Sequence, residues 1–461
     1  MPKSKGLYCE QLLLPSGWAR DMTIVFDTDG VIADIRSIES GDDFQRAAGP
    51  VLPGMPNLHS HAFQRAIAGL TERTGPGGDD FWTWRQAVYR FVSQLTPADV
   101  EAIAAQLYVD MLKGGYTAVG EFHYLHHGTD GMPYDDPAEM SHRVAAAAED
   151  SGIGLTLLPV LYAQGGFGGV PTESGQRRYV CNSDQFARIV DGAERASGAG
   201  ARYRVGIAPH SLRAVGPEAL DCAIQAIDEI GTERPIHIHI AEQTREVDEC
   251  VLWSGARPVE WLLLNCNIDA RWCFVHATHM TGGEVADLAA SGAIAGICFT
   301  TEADLGDGIF PAVEYFAAGG RFGIGSDSHV IVDAAEELRL IEYGQRLSTR
   351  RRNLLARNAH ASTGTSLYLD AVDGGAQALG QCTTGIAVGQ FADLVVLDGE
   401  APILAGKTGS DITDTFVFSG SGRLAKDIYV RGQKVISDRH HAKEERIAER
   451  YRQTMRRLLD A

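Results

Sequence analysis

Val51-Leu52-Pro53-Gly54-Met55-Pro56-Asn57-Leu58-His59-Ser60-His61 is a short apolar run that closes on two histidines. Residues two apart on a strand share a face, so an extended reading turns both imidazoles the same way. A lone H-x-H is common by chance. What decides its meaning is whether similar runs, ending in similar residues, recur along the chain.

They do recur. From about residue 51 to 380, apolar runs near 51–58, 116–122, 154–161, 203–209, 235–241, 272–277, 293–299 and 321–326 alternate with amphipathic stretches, the pattern of parallel βα units. Eight such repeats closing on themselves predict an α/β protein with a (β/α)8 TIM barrel. Residues 23–38 read as a hairpin, and β-like segments return at 392–397 and, as one block, at 427–435. Together these predict a small β-sandwich-like domain built from both chain termini. The expected divisions are 1–52, a barrel at 53–380, and 381–461, the last including a surface helix over 440–459. Residues 71–95, with Gly75-Pro76-Gly77-Gly78 and Phe81-Trp82-Thr83-Trp84-Arg85, hold no clear βα unit and read as an insertion over the catalytic face.

The 461 residues carry a formal net charge of −19, which argues against nucleic acid or an anionic membrane as the main partner. A small anionic substrate would need locally placed arginines. The eight cysteines form no C-x-x-C pair, so neither a disulfide framework nor a thiolate zinc site is expected. Residues 1–30 lack the layout of a secretory leader and no apolar run reaches membrane-spanning length, so a soluble, cytoplasmic protein is expected.

The chemistry-bearing candidates sit at the ends of other predicted strands: His237 and His239 followed by Glu242, then His276, then Asp327 in Gly325-Ser326-Asp327-Ser328-His329. Each alone reads as a hydrogen-bonded polar residue under a loop. Five of them at C-terminal strand ends point to one metal centre that activates water. No lysine lies between Lys113 and Lys407, which excludes a Schiff-base lysine from most of the barrel.

The order H-x-H, His with Glu three residues on, His, Asp resembles the amidohydrolase superfamily. The resemblance implies a metal site of His59, His61, His239 and Asp327, with His239 preferred over His237 for its spacing to Glu242, and His237 a supporting neighbour. Members with two metals bridge them by a lysine at the fourth strand; its absence implies one divalent ion, zinc by analogy. The implied roles are proton acceptance by Asp327, holding and polarising of the attacking water by His276, and proton delivery to the leaving nitrogen by Glu242.

Within the superfamily, residues 54–66, 81–85, 208–213 and 239–243 resemble the formimidoylglutamate deiminase family, which converts N-formimino-L-glutamate to N-formyl-L-glutamate and ammonia in histidine degradation. A small anionic amidine is then the expected substrate, with Arg85 and Arg213 meeting its carboxylates and Gln64, Tyr124 and His210 as further contacts. Competing readings have Arg85 stacked on Trp82 or Trp84, Arg213 paired with an acidic helix, and Gln64 and Tyr124 as scaffold. The resemblance also suggests a homodimer. Two other functions fit less well: a deaminase of a nucleobase or nucleoside, which does not require two arginines, and a non-catalytic barrel acting as a binding module, which would have lost metal ligands.

Overall fold

The structure, a computed structural model, describes residues 5–37, 44–74, 77–197, 203–357, 361–381 and 384–460. Ile38 at the end of the predicted hairpin, Gly75 and Pro76 of the predicted insertion, and Cys382 lie outside the described residues.

Eight parallel strands form the centre. In chain order they are Met55–Ser60, Tyr116–His123, Gly154–Leu161, a fourth in two pieces (Tyr203–Val205 and Ala208–Pro209), Ile236–Ile240, Trp272–His276, Ile294–Ile297 and Arg321–Ile324. The sheet runs from the fourth strand back through the third, second and first, then to the eighth, seventh, sixth and fifth. Parallel bridges Ile207 to Ile236 and Ser211 to His239 join the fourth strand to the fifth and close the ring. Nearly every barrel-strand residue is buried, as expected where helices cover the outside and side chains fill the inside. This is why the strands read as apolar runs.

The first predicted run proves to be two strands in two sheets. Val51–Pro53 pairs with both Lys5–Leu14 and Leu394–Leu397, whereas Met55–Ser60 enters the barrel. The chain changes sheet at Gly54, where a Cβ would sit 2.2 Å from Thr117 Oγ1, so only glycine fits the crossing.

Both chain ends contribute to a nine-stranded sheet. Its N-terminal part contains the antiparallel pair Gly17–Phe26 and Ile32–Ser37, which spans the expected hairpin, and adds Lys5–Leu14, which the sequence reading did not mark. The single block expected at 427–435 is a hairpin of Ala425–Val430 and Gln433–Ser437. Arg431 and Gly432 turn it with φ of 47° and 65°, the paired left-handed geometry of a tight two-residue turn. The last helix begins later than expected, at Glu444–Leu459, and Ile447, Thr454 and Leu458 form its buried face. Among the described residues no helix is long and apolar enough to cross a membrane, and the seven described cysteines are free.

Candidate active site

The H-x-H pair and the aspartate are brought together by backbone pairing between the first and eighth strands. Asp327 N donates to His59 O and His61 N donates to Asp327 O, both at 3.1 Å. Behind them Asn57 Nδ2 donates to Ser326 Oγ at 2.7 Å and Asn57 Oδ1 accepts from Ser326 N at 3.1 Å. Asp327 adopts φ 43° and His276 φ 69°, a left-handed conformation that costs energy outside glycine and concentrates where side chains are aimed for function.

His59, His61 and His239 point their Nε2 atoms at one another at 3.1 to 3.3 Å, and Asp327 Oδ1 lies 3.3 Å from the first two. Four ligands placed tetrahedrally around a zinc-sized ion at about 2.0–2.1 Å would be roughly 3.3–3.4 Å apart. The tautomers agree: His61 Nδ1 donates to Phe122 O at 2.9 Å and His239 Nδ1 to His210 O at 3.0 Å, which leaves their Nε2 lone pairs facing inward. Lone pairs in mutual contact repel unless a cation lies between them. Burial depresses all three imidazoles, His59 to about 3, and so keeps them neutral as ligation requires. Burial opposes ionisation of Asp327, but the hydrogen bond with His59 and the nearby cationic His276 hold it below the usual carboxylate range. The donor set therefore fits a metal ion.

Glu242 and His276 stand beside this cluster. His276 Nε2 lies 3.7 Å from Glu242 Oε1 and 3.8 Å from Asp327 Oδ2, while its Nδ1 contacts Glu302 Oε1 at 3.2 Å. Burial disfavours charge on His276, yet the carboxylates of Glu242, Glu302 and Asp327 lift it to about 10. Burial pushes Glu242 up to about 7 against the pull of His276 and Arg213, the range in which a carboxyl group can both take and give a proton near neutral pH.

One cavity joins this chemistry to the predicted recognition residues. Its walls include His61, His239, Glu242, His276 and Asp327, and also Gln64, Arg85, Tyr124, His210 and Arg213. Gln64 donates through Nε2 to Tyr124 OH at 2.9 Å, and its Oε1 is buried without a partner among the described residues. His210 Nδ1 contacts Ser211 Oγ at 3.0 Å. The insertion forms the roof: helix Phe81–Val92, capped by Asp80, presents Phe81, Trp84, Arg85, Val88 and Tyr89 to the cavity. Arg85 does stack on Trp82, at 4.7 Å, and still faces the cavity with Nε unpartnered among the described residues. Arg213 does face acidic groups, Glu242 at 3.6 Å and Glu246 at 3.7 Å, and its guanidinium lies 5.8 Å from the same Trp82 ring. His237 is outside the cluster; its Nε2 bonds Ala378 O at 2.7 Å, tying the fifth strand to helix Thr363–Leu379.

Sequence reading missed a set of buried supports. Glu121 accepts from Ser60 Oγ at 2.5 Å and Ala62 N at 2.7 Å, fixing the turn at the H-x-H pair. Glu246 accepts from Ala241 N at 3.1 Å and Glu242 N at 3.2 Å, holding the loop that carries Glu242. Arg178 donates to Val92 O at 2.5 Å and His127 O at 2.9 Å, fastening the end of the roof helix. The partners of Glu121 and Arg178 are remote in sequence, and those of Glu246 are backbone N–H groups of its own loop, which carry no side-chain signature.

Comparison with known proteins follows the same lines. The profile of the amidohydrolase family matches residues 51–435. Formimidoylglutamate deiminase of Pseudomonas aeruginosa is 52% identical over 455 residues, 99% of this chain and 100% of that protein. A crystal structure of an amidohydrolase from Brucella melitensis superposes with a TM-score of 0.93 at 46% identity, covering 99% and 100% of the two chains. The crystal structure of an adenosine deaminase from Xanthomonas campestris with bound zinc, at 18% identity and a TM-score of 0.82 over 99% of each chain, shares the fold.

Proposed function

This chain belongs to the amidohydrolase family, and from that premise we propose that it hydrolyses N-formimino-L-glutamate to N-formyl-L-glutamate and ammonia, as a metal-dependent deiminase of histidine degradation. The observation that carries the reading is the shared cavity: three imidazoles and a carboxylate converge on one point, and two guanidinium groups, Arg85 and Arg213, face the same space.

A single divalent ion, zinc by preference, is assigned to His59, His61, His239 and Asp327; when bound it supplies Lewis acidity and lowers the pKa of water towards neutrality. Asp327, on the cavity side of that cluster, takes the proton from the attacking water. His276 holds the water and stabilises the negative charge that grows as oxygen adds to the formimino carbon. Glu242 delivers one proton to the imino nitrogen as oxygen adds, giving an amino group; the proton held by Asp327 follows to that nitrogen while Glu242 takes back the hydroxyl proton, so that the C–N bond breaks with release of neutral ammonia and the carbon is left as a formyl group. Arg85 and Arg213 take the two carboxylates of the glutamate part, and Gln64, Tyr124 and His210 line its path. Gln64 Oε1 and Arg85 Nε, unpartnered among the described residues, support this assignment, because buried polar atoms without partners are uncommon unless a ligand completes them.

The division at 1–52, 53–380 and 381–461, with the sheet from both chain ends as a β-sandwich-like accessory domain, is part of the same reading, as are a cytoplasmic location and a homodimer. The pairing of Val51–Pro53 between strands from the two chain ends supports the first. The test of function is ammonia release from N-formimino-L-glutamate against a panel of nucleobases and nucleosides, with and without chelator. Turnover of a ring amine in preference to the linear amidine would overturn the assignment.

A further inference from the structure

We propose that His276 and Asp327, which line the catalytic cavity, form with the buried Cys298 a second, inhibitory cation site, selective for thiophilic divalent ions. One ligand atom from each lies within 4.8 Å of the others, and all three residues are buried. The site rests on the one-ion reading of the His59, His61, His239 and Asp327 cluster, and lies next to it.

The orientation of each group favours this use. Asp327 has one oxygen for each position: Oδ1 stands 3.3 Å from His59 and His61, whereas Oδ2 faces His276 Nε2 at 3.8 Å. A carboxylate divided in this way is the usual bridge between adjacent ions. His276 Nδ1 is engaged by Glu302, so Nε2 is the nitrogen left for a cation. Cys298 follows the seventh strand, and its sulfur packs between the seventh and eighth strands beneath His59: a Cβ placed on Gly325 would be 2.9 Å from the sulfur and 2.8 Å from His59 Cβ.

Glu302 supplies an independent sign. Its Oε1 accepts from Cys298 N at 3.0 Å and contacts His276 Nδ1 at 3.2 Å, so the carboxylate spans two of the three ligands. Its Oε2 is buried and has no partner among the described residues. Cationic charge is welcome among Glu242, Glu302 and Asp327, and the sulfur turns a general preference for cations into one for zinc or cadmium over magnesium or calcium. Coordination through Cys298 and His276 Nε2 releases both the thiol proton and the imidazolium proton to solvent. It also takes the His276 nitrogen that the hydrolysis requires, which makes the second ion an inhibitor.

The test is titration of metal-free protein with cadmium, read by the ultraviolet cadmium–thiolate charge-transfer band and by ammonia release. The first equivalent binds without the band and restores turnover; the second brings the band and abolishes turnover. Cys298→Ser and Cys298→Ala accept the first equivalent, show no band and stay active in excess cadmium, while Cys222→Ser, at the exposed cysteine, behaves like the parent. A band that survives in both Cys298 variants, or a parent protein that neither develops the band nor loses activity in excess cadmium, overturns the proposal. A first equivalent that binds with the band overturns the one-ion reading and this proposal together.

Discussion

Replacing Arg213 by methionine separates recognition from chemistry. The side chain is 7% exposed and stands 3.6 Å from Glu242 and 3.7 Å from Glu246, beyond good hydrogen-bonding distance, so its donors can turn to a substrate carboxylate. Loss of one charge-assisted hydrogen bond costs about 1.5–3 kcal/mol, or roughly a 10- to 150-fold rise in KM for N-formimino-L-glutamate. The same change takes a positive charge from beside two buried carboxylates, and breaking a buried pair costs about 3–5 kcal/mol of stability. The lower end applies here, because Glu246 keeps its two backbone donors. The assays are steady-state ammonia release with N-formimino-L-glutamate and with a neutral N-alkylformamidine, plus denaturant unfolding. The variant should lose affinity for the dicarboxylate and react with the neutral amidine much as the parent does. Equal losses on both substrates, or an unchanged KM for the dicarboxylate, would refute the placement of Arg213 against the substrate.

Glu242→Gln should bind metal normally and lose turnover by about 10²- to 10⁴-fold, the usual contribution of a positioned proton donor; near-parental ammonia release would remove Glu242 from proton delivery. Removal of metal should abolish activity and lower the thermal midpoint, with both restored by one equivalent of zinc per chain, because an ion that binds only the folded ring stabilises it by mass action; elemental analysis and calorimetry check this together. Glu121 is lifted by burial to about 7, so its ionisation penalises the folded state, and this part of stability is fully present below the unfolded pKa near 4.5 and is lost as pH rises towards 7. Glu121→Gln should therefore gain stability relative to the parent by about 3 kcal/mol between those limits, measured by denaturant unfolding at a series of pH values; a pH-independent difference would contradict the origin assigned to it.

The barrel was legible because buried parallel strands are largely apolar on both faces, so each of the eight announced itself as a short, mostly apolar run. The change of sheet at Gly54 was hidden for the same reason: Val51–Pro53 and Met55–Ser60 are both buried, and hydropathy does not distinguish one interior from another. The left-handed turn at Arg431 and Gly432 was lost inside a β-like block. Among the site residues, His59 and His61 were visible through their spacing of two on a strand. Glu121, Glu246 and Glu302 were not: Glu121 is defined by partners some sixty positions away, and Glu246 and Glu302 by nearby backbone N–H groups, which any sequence supplies and none advertises. Arg178, a buried cation held mainly by carbonyl groups, has no sequence signature at all.

The seam between the first and last barrel strands also bears on how the protein is made. Asn57 and Ser326, which lock that seam, are 269 positions apart, and the fourth ligand follows one residue later. On a ribosome the paired histidines emerge long before the aspartate that completes their polyhedron. With the ligand set proposed above, a nascent chain halted anywhere short of that point holds at most an incomplete chelate, which would make metal acquisition a late event in biogenesis that marks the closing of the ring.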